Sequence, residues 1–293
     1  MPLFSVLLPA ADIPAGALVF LKGMTIRMKK FLKVLALGIA ASLMALSFAA
    51  CGGDPASTGS NGESSEAAAL DLVKDGTLIM GTNAEFPPFE FQEGGAVVGV
   101  DAEIMEAIAK KLGLTLEIKD MAFESLPDAL GGGTIDLIAA GYTVDPTREE
   151  TMDFTDTYYT ALQTVIVKAD SGYASKDDLK DKKIGVQTGT TGSSCAKELT
   201  DKENVIGYGN GSLAVDALLT GNVDAVIIDN NPAKEYKTKH GDAVTLLENQ
   251  FDEEEYAIAV KKGNKDLLEA VNNALKEIKA DGTFQKIIEK YIR

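Results

Sequence analysis

The sequence predicts an α/β fold of two lobes. Three observations carry this. From residue 70 onward, short apolar runs of strand length alternate with segments whose apolar residues recur at helical spacing. The alternation runs through twice, over roughly 77–140 and again over roughly 164–229. The composition, 45% hydrophobic and 25% charged over 293 residues, supports a sizeable core in one or two domains.

Each element has its own signal. Residues 77–82 (TLIMGT) read as a strand, followed by a turn at Pro87-Pro88. The apolar run 96–100 precedes Asp101, an N-cap residue type, and Ile104, Ile108 and Leu112 then share one helical face. Residues 114–118 alternate as a strand. Gly131-Gly132-Gly133 stops a short helix, and 135–140 reads as a buried strand. Strands at 164–167 and 183–186 follow, the second leading through 188–193 into a helix ending at Leu199. Then come a strand at 205–208, a helix at 212–219 and a strand at 225–229. A strand at 257–260 and helices at 265–280 and 283–291, split at Asp281-Gly282, close the chain. This βαβ rhythm predicts largely parallel sheets.

The first fifty residues read as an address. Met28-Lys29-Lys30 precedes an apolar stretch, 31–50, that ends in Ala49-Ala50 before Cys51, the layout of a secretory signal. The stretch is also about long enough to span a bilayer as a retained anchor. Phe48-Ala49-Ala50-Cys51 resembles a bacterial lipobox, with Phe48 where leucine is usual, so Cys51 is the expected lipidation site. Residues 1–27 precede a complete signal and read as a mis-assigned start extension. Residues 51–74 begin as a Gly/Ser/Ala-rich stretch without aromatic residues, a flexible tether.

Charge and composition exclude several functions. Lys and Arg number 28 against 44 Asp and Glu, a net charge of −16, which opposes binding to nucleic acid. The single histidine, His240, excludes a multi-histidine metal site, and a Ser-His-Asp mechanism would need it as base. Two cysteines, Cys51 and Cys195, make no disulfide framework.

The segment Gly99-Val100-Asp101-Ala102-Glu103-Ile104 with Ala107-Ile108-Ala109 resembles the signature of family 3 bacterial solute-binding proteins, which serve ABC importers of polar amino acids. Val100 and Ala102 stand where larger residues are usual. Phe86-Pro87-Pro88-Phe89, Gly141-Tyr142-Thr143, Pro146-Thr147-Arg148, Gln187-Thr188-Gly189-Thr190-Thr191 and Val223-Asp224-Ala225 follow in the family's order. The resemblance implies a two-lobe, type II periplasmic-binding-protein-like fold with two hinge crossovers. Lobe I would hold 75–159 and 257–293, and lobe II 164–252, with the ligand in the cleft and closure about the hinge.

It also implies roles. Arg148 would take an amino acid's α-carboxylate in its planar fork; on its own it also reads as a surface arginine paired with Glu149 or Glu150. Thr143 would give a hydroxyl and an amide to the same carboxylate, and Gly141 backbone only. Thr191 lies in a turn opening a helix, whose free N–H groups attract anions; the lysine of a phosphate loop is missing. Asp229 ends the apolar strand and would receive the α-ammonium, or cap the next helix. Phe86 and Phe123, which could equally be core, match positions flanking the ligand side chain. Asn83 and Gln187 suit a neutral polar side chain, whereas Glu85 favours a cation, so glutamine-like, cystine-like and basic amino acids all stay open.

The expected protein is a monomeric lipoprotein on the extracytoplasmic face of the membrane. Its partners are a polar amino acid, an ABC permease and, through Cys51, the lipid; it uses no cofactor, metal or catalytic residue. The rival readings are an enzyme on the same scaffold, of the cyclohexadienyl dehydratase kind with Glu85 or Asp229 as acid, and a ligand-sensing module. Cys195 is expected as a small buried residue, with redox sensing the sharper alternative. His240 is expected in a solvated loop. The acidic run 252–255 is expected as a solvated face, with permease docking as its alternative.

Overall fold

The computed structural model describes residues 70–292. The start extension, the signal, Cys51 and the tether up to residue 69 lie outside the described residues.

The chain opens with β1 (Thr77–Thr82) and a small antiparallel ribbon, β2 (Glu85–Phe86), β3 (Glu90–Glu93) and β4 (Ala96–Val98). Next come α1 (Val100–Leu112), β5 (Thr115–Asp120), α2 (Leu126–Gly131), β6 (Leu137–Ile138), α3 (Pro146–Glu149) and β7 (Met152–Phe154). The long β8 (Tyr159–Lys168) leads to β9 (Ile184–Gln187), α4 (Thr191–Leu199), β10 (Val205–Tyr208), α5 (Gly211–Thr220), β11 (Ala225–Asp229), α6 (Asn230–His240) and β12 (Val244–Leu247). β13 (Glu253–Tyr256), β14 (Ala259–Lys261), α7 (Lys265–Ala280) and α8 (Thr283–Tyr291) complete the described chain.

Two five-strand ladders result, ordered β5-β1-β6-β14-β7 and β10-β9-β11-β8-β12. In each, one strand runs against the other four: β14 is antiparallel to β6 and β7, and β8 to β11 and β12. The expectation of largely parallel sheets holds with this exception. Its cause is connectivity, because β8 and β14 are the strands that arrive from the other sheet. At its start β8 also pairs antiparallel with β13, from Tyr159 opposite Tyr256 to Leu162 opposite Glu253. The two passages between the sheets therefore form one ribbon.

Both sheets are covered on both faces, as parallel strands require. In β1, Leu78 and Met80 pack with Ile104, Ile108, Val271 and Leu275 of α1 and α7, while Ile79 packs the other way with Leu126 and Leu130 of α2. In β11, Val226 and Ile228 meet α5 and α6, while Ala225 and Ile227 meet α4. On α7 the buried positions Leu267, Val271, Ala274, Leu275 and Ile278 form one stripe.

Some local expectations are corrected. The N-cap of α1 is Gly99, not Asp101. Gly99 has φ 126°, and a side chain there would overlap the Phe89 carbonyl, so the turn needs glycine. Asp101 is free to turn inward and is fully buried. His240 is the last residue of α6 rather than a loop residue. The strand in the stretch 135–140 is confined to β6, with its neighbours buried and the Asp136 and Ala139 N–H groups donating to the Ile79 and Gly81 carbonyls of β1. Three residues of the acidic run belong to β13; Asp252 and Glu253 are exposed as expected, whereas Glu254 and Glu255 are half-buried.

Candidate functional site

The residues of interest lie where strands end. Asn83 follows β1, Gly141 to Thr143 follow β6, Gln187 ends β9 and Asp229 ends β11. The carboxyl ends of parallel strands are where α/β sheets open crevices. Here the ends of both sheets border one small cavity. Its wall contains Asn83, Phe86, Phe123, Gly141, Thr143, Arg148, Gln187, Thr191 and Asp229, together with Ala140 and Thr190. All nine ligand positions expected from the sequence are thus brought together. Thr190 was missed, although it is the N-cap of α4 and a Thr-Gly-Ser sequence follows it.

Arg148 is presented by α3, a single turn fixed by its cap. The Asp145 carboxylate accepts the Thr147 and Arg148 N–H groups at 2.8 and 3.3 Å, and Pro146 stands in the first turn. The guanidinium donates to the Thr143 carbonyl at 2.8 Å and, across the gap, to the Gly189 carbonyl at 3.1 Å. It lies 4.0 Å from the centre of the Tyr142 ring and 5.7 Å from that of Phe123. Such stacking contributes about 0.5–2 kcal/mol. Among the described residues no carboxylate lies within 4.0 Å of the Arg148 guanidinium, so it is not paired with Glu149 or Glu150. Its charge is held by neutral dipoles and rings.

Asp229 is the opposite case. It is 7% exposed, and its carboxylate accepts the Tyr256 hydroxyl at 2.6 Å. It occupies the N-cap position of α6 but makes no side-chain cap bond. Burial, and then the charge of nearby Glu254, push its pKa up to about 7, against the pull of the Tyr256 hydrogen bond.

The distal wall is amide. Gln187 Nε2 donates to Asn83 Oδ1 at 2.8 Å, and Asn83 Nδ2 to the Met121 carbonyl at 3.0 Å. At the rim Asn210 Nδ2 donates to Glu85 Oε1 at 2.9 Å. The Gln187, Asn210 and Arg148 bonds each link one sheet's surroundings to the other's, so the cleft is closed.

Glu254 on β13 was not expected in the site. Its Oε2 accepts from the Thr191 hydroxyl at 2.8 Å, the Thr143 hydroxyl at 3.0 Å and Gln163 Nε2 at 3.3 Å. The signal was period two. In a strand Glu254 shares a face with Tyr256, and Tyr256 reaches Asp229.

Behind the cavity, Asp101 accepts the Gly141 N–H at 2.7 Å and the Tyr158 hydroxyl at 2.8 Å. Gly141 therefore has its carbonyl left to offer. Its φ of 51° and the Phe86 ring, 2.8 Å from where a Cβ would stand, leave no room for a side chain. Burial raises the Asp101 pKa to about 6 despite these bonds, and burial together with Asp101 raises Glu90 well above the carboxylate range. Cys195, in α4, is half-buried rather than buried as expected, and its thiol pKa is pushed up to about 12 by burial and then by Glu254, which disfavours the thiolate.

Comparison with known proteins identifies the family. The family model for "Bacterial extracellular solute-binding proteins, family 3" matches residues 78–293. The "Arginine-binding extracellular protein ArtP" of Bacillus subtilis is 37% identical, covering 73% of this chain and 85% of the relative. The "Probable histidine-binding protein" of Neisseria gonorrhoeae is 34% identical, over 88% and 95%. Among solved structures, an ancestral arginine-binding protein bound to glutamine superposes with a TM-score of 0.71 at 43% identity, covering 75% of this chain and 99% of the other. The two-sheet architecture, the crevice between the strand ends and these matches together show that the chain belongs to the bacterial extracellular solute-binding proteins, family 3.

Proposed function

We propose that this protein captures a polar amino acid outside the cytoplasm and hands it to an ABC permease, held near the membrane by a lipid on Cys51. The zwitterion's carboxylate meets the Arg148 fork and the amides of Thr143 and Thr191. Its ammonium meets Asp229 and the Gly141 carbonyl. Phe86 and Phe123 flank the side chain, whose polar end exchanges hydrogen bonds with Asn83 and Gln187.

The observation that carries this reading is the pairing of one uncompensated cation, Arg148, with one buried carboxylate, Asp229, on the wall of a single cavity. A zwitterion satisfies both ends at once, and a buried unpaired charge is costly. The relatives named for arginine and histidine support an amino acid as the solute. The dehydratase alternative gains nothing from the cavity, because Glu85 is exposed and bonded to Asn210, and Asp229 is bonded to Tyr256.

The test is a thermal-shift screen of the common amino acids on protein first stripped of co-purified ligand. A ligand at a thousand times its dissociation constant should stabilise by about 4 kcal/mol. If no amino acid moves the midpoint, the proposal fails.

A further inference from the structure

We propose that Glu90 is a positioning residue: a buried neutral acid that gives its proton to the Asp101 carboxylate, which in turn holds Gly141 at the back of the cavity. The effect on ligand binding rests on the amino-acid reading above.

Glu90 and Asp101 are each 1% exposed. Their carboxyl groups, one from β3 and one from α1, lie within hydrogen-bonding reach of each other. Two adjacent carboxyls shut away from water cannot both be ionised, so the pair keeps a proton. The surrounding donors decide which partner is the acid. Asp101 accepts the Gly141 N–H on Oδ2 and the Tyr158 hydroxyl on Oδ1, and such bonds favour the anion. Neither Glu90 oxygen has a donor. A buried carboxylate without donors is costly, whereas a carboxylic acid at that place has a proton to give and an anion beside it to receive it.

The other neighbours leave Glu90 the same choice. The charged groups facing it are all acids: Asp101, Asp229 at the end of β11 and Asp120 at the end of β5. Tyr158 and Tyr256 face it too, but their hydroxyls go to Asp101 and Asp229. Among the described residues no cationic side chain lies within 4.0 Å of either carboxyl. Burial first, and then Asp101, raise the Glu90 pKa well above its ordinary value of 4.5.

The proton matters because of what Asp101 ties together: the start of α1, the turn after β6 and, through Tyr158, the entry to β8. Gly141 is the residue whose carbonyl is left for the ammonium. Phe86, whose ring crowds Gly141, is also the β2 partner of Glu90. Were Glu90 ionised, two like charges would drive Asp101 away from the Gly141 N–H.

The experiment makes three measurements on the full chain stripped of co-purified ligand. By infrared spectroscopy the wild type should show a protonated-carboxyl band that Glu90→Gln lacks, and the band should persist at about pH 8, above the Asp229 value of about 7. In thermal unfolding, the folded wild type keeps a proton that the unfolded chain releases above pH 4.5, so it loses stability as pH rises. Glu90→Gln carries no such proton, and its folding equilibrium should gain on the wild type by up to about tenfold per pH unit between about pH 5 and pH 8. In calorimetry with L-arginine and L-glutamine, Glu90→Gln keeps a donor and should bind within about threefold of wild type, while Glu90→Leu, with no donor, should bind about tenfold more weakly, the scale of a hydrogen bond to a charged group. If the leucine variant does not fold, the band and the glutamine variant still decide. A missing band, a stability gap that does not change with pH, or a glutamine variant as impaired as the leucine one would overturn the assignment. If the wild type binds no amino acid, the amino-acid reading fails, while the band and the pH dependence still decide whether Glu90 holds the proton.

Discussion

The two charged ends of the cavity are built on opposite plans. Arg148 sits half-buried on a four-residue helical turn, its guanidinium steadied by two carbonyls and two rings, with no carboxylate within 4.0 Å of that group among the described residues. Asp229 is buried at the end of a central strand, with a second carboxylate close enough to raise its pKa. The cation is pre-positioned at little electrostatic cost, whereas the anion is held in a place where ionisation is unfavourable until a positive charge arrives. A guanidinium cannot lose its proton, so it must be housed where neutral dipoles solvate it. A carboxylate can take up a proton, so the fold tolerates its burial in the empty state.

That asymmetry makes the largest expected effect the loss of the cation. Arg148→Ala should weaken amino-acid binding by roughly a thousandfold, because the ligand carboxylate would be desolvated without its partner. Unchanged affinity by calorimetry would refute the carboxylate role.

Asp229→Asn should weaken binding by roughly a hundredfold while raising the thermal midpoint of the ligand-free protein. The sign follows from linkage. The folded-state pKa, about 7, lies above the ordinary value of 3.8. Between these values the folded chain holds a proton that the unfolded chain has released, so the ligand-free protein loses stability as pH rises through the window. Asparagine removes that cost. A midpoint that falls would mean the carboxylate is not a burden to the empty fold.

The same pKa governs affinity. An ammonium binds the ionised carboxylate, so affinity should be flat above about pH 7 and fall by up to about tenfold per unit below it. Titration calorimetry between pH 8 and pH 5.5 reads this directly, and Asp229→Asn should flatten the profile. A profile that rises on acidification would place the ammonium elsewhere.

The smallest expected effect lies on the cation side. Asp145→Ala removes the cap of α3 and should cost about 1 kcal/mol, near a fivefold loss of affinity. It acts only through the placing of Arg148, so Arg148→Ala should mask it.

Much of this was legible before any coordinates. The strand ends announced themselves, because an apolar run stopping at a polar residue, as AVII stops at Asp229 and LIMG at Thr82-Asn83, marks the mouth of a sheet. The candidate ligand positions were read by setting that pattern beside a family motif. Arg148 shows the limit. Taken alone, its neighbours Glu149 and Glu150 favoured an ion pair; the preceding Gly-Tyr-Thr and the family motif pointed to the cleft instead, and the Asp145 cap and the stacking on Tyr142 hold it there.

What the sequence determined by itself is the order of strands and helices, the acidic character and the presence of one arginine and one strand-end aspartate of the right kinds. These depend on local spacing and composition, which a linear reading contains. The tertiary structure alone decided that Glu254 turns inward, that Asp101 leaves a cap to hold Gly141, and that β8 and β14 run against their sheets. Each depends on a contact between segments far apart in the chain, 111 residues for Thr143 and Glu254 and 40 for Gly141 and Asp101, and local sequence does not encode which distant partner a polar side chain will meet.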